Sequence, residues 1–162
     1  MKILIAGAGI GGLTAALALI QRGFAVQVLE QAAELREVGA GVQLSPNATR
    51  ALFLLGLEGA LQKVACVATG KRVRLWNTGQ TWKLFDLGAE SVVRYGYPYI
   101  TMARFDLHKV LADAVRQAQP DAIRLSARCT GAVNEGHQVL AQLEGGETIA
   151  GDVLVGADVV HS

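Results

Sequence analysis

The stretch from Lys2 to Glu30 constrains this chain more than any other. Ile3-Leu4-Ile5-Ala6 is an apolar run of strand length, and Gly7-Ala8-Gly9-Ile10-Gly11-Gly12 follows at once, with glycine at 7, 9 and 12 in the pattern G-x-G-x-x-G. Leu13 to Arg22 has helical composition and Gly23 closes it. Ala25-Val26-Gln27-Val28-Leu29 is a second apolar strand, ending on Glu30 with Gln31 beside it. The order strand, glycine turn, helix, strand, acid predicts two parallel strands joined by a crossover helix, with the turn at the carboxyl end of the first strand.

Each part of that order has a physical reason. Gly7 permits the tight turn off the strand, Gly9 lacks a Cβ so that backbone can approach a pyrophosphate, and Gly12 lets the helix pack close to the sheet. Free amides at the positive end of the helix favour an anion there. Glu30 stands where an acid accepts hydrogen bonds from a ribose hydroxyl. A carboxylate at that point repels a 2′-phosphate, so the pattern predicts FAD or NAD rather than NADP. Two other readings stay open. Ile3 to Ile20 carries no charge and follows Lys2, as in a signal peptide or a short membrane span, but four glycines in six residues weaken such a helix by roughly 1 kcal/mol each. A glycine turn that binds nothing is the other.

The chain has 162 residues, 51% of them hydrophobic, which suffices for one globular domain with a core. Fifteen basic residues against 14 acidic ones give a net charge of +1 and no basic run, which argues against nucleic acid or an anionic membrane as partner and for small molecules. Cys66 and Cys129 have no metal-type or C-x-x-C spacing and read as two reduced, buried thiols, in keeping with a cytoplasmic protein.

Along the chain, residues 31–41 form a polar loop. Ser45 suits an N-cap and Pro46 a first helical position, with Gly56 ending that helix. Residues 57–70 suggest a short helix and loop. Val73 to Trp76 and Thr81 to Phe85 read as a hairpin, and residues 96–102 as an aromatic, proline-containing connector. Leu107, Val110, Leu111, Ala114, Val115 and Ala118 recur on one helical face before Pro120. Ala122 to Thr130 is a strand candidate. Gln138 to Leu143 and Thr148-Ile149 make a hairpin at Gly145-Gly146, and Val153-Leu154-Val155 a last strand. The whole reads as one α/β domain. His108, on the polar side of its helix, His137 and His161 have no patterned partners, and neither a catalytic set nor metal spacing emerges.

Four segments together resemble the FAD-dependent aromatic hydroxylases, single-component flavoprotein monooxygenases of the salicylate hydroxylase type that include hydroxybenzoate and hydroxynicotinate hydroxylases. They are Gly7 to Gly12 with Glu30; Gly39-Ala40-Gly41-Val42-Gln43-Leu44-Ser45-Pro46-Asn47; Arg104-Phe105-Asp106-Leu107-His108; and Gly151 to Asp158. The resemblance implies a Rossmann-like α/β FAD/NAD(P)-binding domain over residues 1–162, with a central parallel sheet of the glutathione-reductase type, incomplete at its C-terminus. It implies FAD as cofactor, NADH or NADPH as transient electron donor, and a phenolic or related aromatic acid and O2 as reactants.

By the same resemblance Gly7, Gly9, Gly11 and Gly12 hold the pyrophosphate, and Glu30 with Gln31 the adenosine end. Gly41, Val42 and Gln43 run beside the flavin, and Arg104 contacts the FAD. Cys129 meets the adenine through its backbone, the alternative being a plain core cysteine. Asp158 belongs to a second fingerprint whose next residue in the family is glycine; here it is Val159, while Ser162 matches the motif's serine. The groups that act on the phenol lie in a portion absent from this sequence. The chain thus reads as a truncated gene product or fragment, with no catalytic residue assigned. A sheet face left bare predicts self-association, partial disorder or low solubility. Another FAD-dependent oxidoreductase, or a nucleotide-binding fragment without catalysis, are the alternatives.

Overall fold

Residues 1–35 and 39–158 are described in a computed structural model; Val159, His161 and Ser162 lie outside the described residues. In chain order the elements are β1 (Lys2–Ala6), α1 (Ile10–Ile20), β2 (Ala25–Leu29), β3 (Gly41–Leu44), α2 (Pro46–Leu54), α3 (Glu58–Gln62), β4 (Cys66–Val67), β5 (Gly70–Arg74), β6 (Thr81–Asp86), α4 (Gly88–Tyr95), β7 (Ile100–Ala103), α5 (Arg104–Ala118), β8 (Ile123–Arg124), β9 (Cys129–Glu135), β10 (Gln138–Leu143), β11 (Thr148–Gly151) and β12 (Val153–Gly156). They form two compact units, one of Met1–Glu37 with His108–Ser162 and one of Val38–Leu107.

The first unit is the expected α/β fold with a parallel sheet, in strand order β12-β1-β2-β8. β1 lies at its centre because it is apolar on both faces: Ile3, Leu4 and Ile5 are all buried. Ile3 and Ile5 stand in register with Val26 and Val28, so these four share one face by strand alternation. Leu4 and Leu29 point to the other face and pack with Ala127, Ala141, Leu143 and Ile149 of the antiparallel sheet β11-β10-β9 and the segment before it. β8 reaches β2 only at Val28 and Leu29. Further along β2 the Gln119 side chain completes the pairing: its Nε2–H donates to Val26 O at 2.7 Å and its Oε1 accepts from Val26 N–H at 3.3 Å.

The second unit holds an antiparallel sheet β3-β7-β4, the hairpin β5-β6, and helices α2 to α4. Pro46 occupies the first turn of α2 as expected, but the Ser45 hydroxyl makes no cap; it donates to Asn47 Oδ1. Gly56, at φ +81°, closes α2. Leu44, Leu52, Leu57, Leu61, Ile100, Met102 and Leu107 are this unit's buried apolar residues among those described, and every residue of β5 and β6 is exposed.

Several elements differ from the sequence reading. α1 begins at Ile10 rather than Leu13, so that Gly11 and Gly12 form its first turn. The span from Ala122 to Thr130 breaks into β8 and β9 at Ser126, whose φ of 51° no strand admits. The connector over 96–102 includes most of β7, and α4 was not foreseen because no capping side chain precedes it and its valines at 92 and 93 are exposed. Both cysteines are free as expected, but Cys66 is exposed on β4 rather than buried, and Cys129 is half-buried. No helix among the described residues is long and apolar enough to cross a membrane, and Lys2–Ala6 is a strand inside a sheet, not the start of a span.

Candidate nucleotide-binding site

β1 delivers the chain to the glycine turn, and neighbouring strands fix where the turn begins. Gly7 N–H donates to Leu29 O at 2.8 Å, and Ala157 N–H donates to Ala6 O at 2.8 Å. Gly7 has φ +103°, and a Cβ there would lie 2.7 Å from Ala157 O and 3.0 Å from the Asp158 Cα. The β1-β12 pairing thus sets Asp158 directly beside the turn, where its side chain is exposed. A Cβ on Gly12 would fall 2.0 Å from Gly7 O, so only glycine lets the helix start so close to the strand. Gly9 and Gly11 differ in kind, since a Cβ at either would meet nothing within 4 Å. Those two glycines are not required by the packing of the protein on itself.

Gly9 is the N-cap of α1, and the helix's first internal bond runs from Leu13 N–H to Gly9 O at 2.9 Å. The preceding amides have no helical partner and lie at the positive end of the helix, which suits an anion.

Glu30 faces the same place. Its main chain is stitched down on both sides: its N–H donates to Arg124 O at 2.9 Å, and its carbonyl accepts from Ala127 N–H at 2.8 Å. Its side chain takes Ala8 N–H on Oε2 at 2.8 Å and Ala32 N–H on Oε1 at 2.9 Å. Each carboxylate oxygen keeps a second acceptor position, enough for a vicinal diol. Ala8, Gly9, Glu30, Ala32, Glu34, Leu35 and His108 line one hollow of about 130 Å³. Gln31 is exposed next to Glu30. The guanidinium of Arg124, whose main chain pairs with Glu30, is committed elsewhere. It makes two hydrogen bonds of 2.6 Å to Glu147, which hold the Glu147 carboxyl below the usual glutamate range and raise the arginine in turn.

His108 does not lie on a polar side of its helix as the sequence suggests. It is 5% exposed, and its Nε2–H donates to Ala8 O at 2.7 Å. The signal was available: His108, Leu111 and Val115 recur at helical spacing on the buried side of α5, whereas Ala118, expected on the stripe, is exposed. Cys129 opens β9, packed against the Leu4 and Leu29 cluster, with its thiol donating to Gly131 O at 3.5 Å.

The remaining predicted residues belong to the second unit and cluster there. Gly41, Val42 and Gln43 pair with Ala103, Met102 and Thr101 along β3-β7. Arg104 follows that ladder, its N–H donating to Ala40 O at 3.3 Å and its side chain passing beside Gly39. Gln43 Oε1 accepts from the Tyr99 hydroxyl at 2.8 Å, which orients its amide. Met102 O leaves 3.4 Å for a Cβ on Gly41.

Compared with known families, residues 1–162 match the FAD binding domain family along their whole length. This chain belongs to the FAD-binding domain family. It is 42% identical over 164 residues to the 3-hydroxybenzoate 6-hydroxylase 1 of Aquipseudomonas alcaligenes and 40% identical over 161 residues to a 3-amino-4-hydroxybenzoate 2-monooxygenase of Streptomyces platensis. Each alignment takes in 99% of this chain, and 41% and 40% of the two relatives. Among solved structures, a mutant of 2-methyl-3-hydroxypyridine-5-carboxylic acid oxygenase superposes with a TM-score of 0.81 at 30% identity, over 99% of this chain and 40% of the other. The chain therefore spans about two fifths of the length of these proteins, and the likeness to FAD-dependent aromatic hydroxylases rests on matches along its whole length.

Proposed function

We propose that residues 1–162 are the FAD-binding domain of a flavoprotein monooxygenase that hydroxylates a phenolic or related aromatic acid, of the salicylate or hydroxybenzoate type, with NADH or NADPH as electron donor and O2 as oxidant. Membership in the FAD-binding domain family and the activities for which the relatives are named support this reading. The observation that carries it is the convergence of the open amides at Gly9 to Gly12 with the Glu30 carboxylate, tied together through Ala8 N–H. Those residues fit the AMP and pyrophosphate half of the cofactor: bare backbone and a helix N-terminus for the anion, an acceptor pair for the ribose.

The passage of electrons from NADH or NADPH to O2 is chemistry that the flavin supplies when bound. The chain's own residues bind and orient. Gly7, Gly9, Gly11 and Gly12 hold the pyrophosphate, Glu30 and Gln31 the ribose end, and Cys129 the adenine through its backbone. Asp158 is a further contact beside the turn. Gly41, Val42 and Gln43 offer an uncluttered strand to the flavin, and Arg104 a charge for its phosphate or ribityl oxygens. A cytoplasmic setting is supported by the two free thiols. Self-association is supported by the hairpin β5-β6, where Val73, Trp82, Leu84 and Phe85 are exposed.

Titrating the chain into FAD and following flavin fluorescence tests the reading. FAD is expected to bind and ADP to displace it, with 2′-phospho-ADP at least about tenfold weaker than ADP, a difference of about 1.4 kcal/mol. Glu30→Gln is expected to narrow that gap. Absence of FAD binding, or equal competition by the two nucleotides, overturns it.

A further inference from the structure

We propose that His108 is a positioning residue for pyrophosphate binding, which it serves by fixing the direction of the Gly9 amide. The inference rests on the FAD-binding reading above and adds to it a residue that acts through the main chain of Ala8.

A buried imidazole needs partners, and His108 finds one in the Ala8 carbonyl at 2.7 Å. A carbonyl oxygen can only accept, so Nε2 carries the proton whether the ring is neutral or charged. The peptide between Ala8 and Gly9 is planar and trans, which points its N–H opposite to its carbonyl. With the carbonyl drawn toward the ring on α5, the Gly9 N–H is turned away from that ring, and a Cβ on Gly9 would meet nothing within 4 Å. The preceding peptide is fixed as well, because Ala8 N–H is held by Glu30. Two successive peptide planes are thus pinned from opposite sides, one by an acid on its donor and one by a histidine on its acceptor.

Pinning matters here because of the glycine itself. Gly9 sits at φ −69° and ψ 178°. Rotation of the Ala8–Gly9 plane by half a turn carries that φ into positive territory, which glycine enters at almost no steric cost. The flipped plane presents a carbonyl oxygen where the anion is to sit. The feature that opens the backbone to a phosphate therefore also allows it to face the wrong way, and the His108 hydrogen bond selects one orientation. The affinity lost without it follows from population: if one loop in ten retains the competent orientation, the apparent dissociation constant rises about tenfold.

The test compares ADP with adenosine on the full chain by calorimetry, for wild type, His108→Leu, His108→Asn and His108→Gln. Glutamine carries its amide N–H to about the reach of Nε2; asparagine stops short. Expected are a loss of about tenfold or more in ADP affinity for His108→Leu and His108→Asn, adenosine affinity within about twofold of wild type, and recovery for His108→Gln. In the ligand-free state the Gly9 amide is expected to give one NMR cross-peak in wild type and His108→Gln, and a second set in His108→Asn. Equal weakening of ADP and adenosine marks a purely structural role and overturns the proposal. So does wild-type ADP affinity in His108→Asn, which decides the matter if His108→Leu does not fold. If the wild-type chain binds neither FAD nor ADP, the cofactor reading falls and takes this one with it; if it binds both and the variants do not separate them, only this one falls.

Discussion

In the first unit a methyl group added at Gly12 would lie 2.0 Å from one backbone oxygen, and one at Gly7 2.7 Å from another; in the second unit a methyl at Gly41 would keep 3.4 Å from its nearest neighbour. The two units thus hold their candidate cofactor residues by different means. The glycine turn is shaped by backbone pressed on backbone, above a core in which Leu4, Ile5, Leu13 and Leu29 are wholly buried. The β3 strand is shaped by ladder bonds to β7, in a unit whose hairpin has no buried residue. A turn fixed by close contact has no room to adapt, which suits gripping an invariant pyrophosphate. A strand fixed by its ladder leaves its side chains free to vary.

Substitution at single glycines is the most direct way to break this contrast. Gly12→Val is expected to cost roughly 4 kcal/mol or more, because the clash is with main chain that no rotamer change relieves, while Gly41→Ala is expected to cost under about 1 kcal/mol. Chemical denaturation followed by circular dichroism gives both values; similar losses at the two sites would erase the distinction.

A second substitution sharpens the contrast within the turn. Gly9→Ala meets no protein atom, so the midpoint of unfolding is expected to stay within about 1 kcal/mol of wild type. If Gly9 holds the pyrophosphate as proposed, the added methyl obstructs the anion, and ADP affinity is expected to fall about tenfold, or about 1.4 kcal/mol. A fold that suffers while binding is kept would show that Gly9 serves packing after all.

The smallest effect concerns the Arg124–Glu147 pair, which ties β8 to the β10-β11 turn. Glu147 titrates below its unfolded value, so its stabilising contribution is present above the usual glutamate range and is lost as pH falls through the lowered folded value. Glu147→Gln is therefore expected to be slightly less stable than wild type near neutrality, and equal to it at acid pH below that window. Thermal melts at the two pH values measure this. A difference that persists in acid would assign the effect to packing rather than charge.

Much of the first unit was legible in the sequence because its signals are local. Apolar runs, a glycine turn and an acid at fixed spacing sit within thirty residues, and each appears where the pattern predicts. The burial of His108 was legible in its spacing with Leu111 and Val115, but its partner was not: that is the main chain of Ala8, a hundred residues away, and no side-chain pattern encodes a carbonyl. The exposure of Cys66 likewise depends on β4 forming an edge of its sheet, which composition does not reveal. α4 escaped because it has no capping side chain and its Val92 and Val93 face solvent. Arg104 was picked out by resemblance alone, and its contacts arise from where β7 ends.

Gln119 has a consequence beyond the pairing it completes. β2 is longer than the two-residue strand that covers its outer side, and bare outward-facing amides there would be a template on which another chain could add a strand. By occupying both the N–H and the C=O of Val26, one side-chain amide acts as a plug in that open margin, guarding the apolar strand against sticking edge to edge.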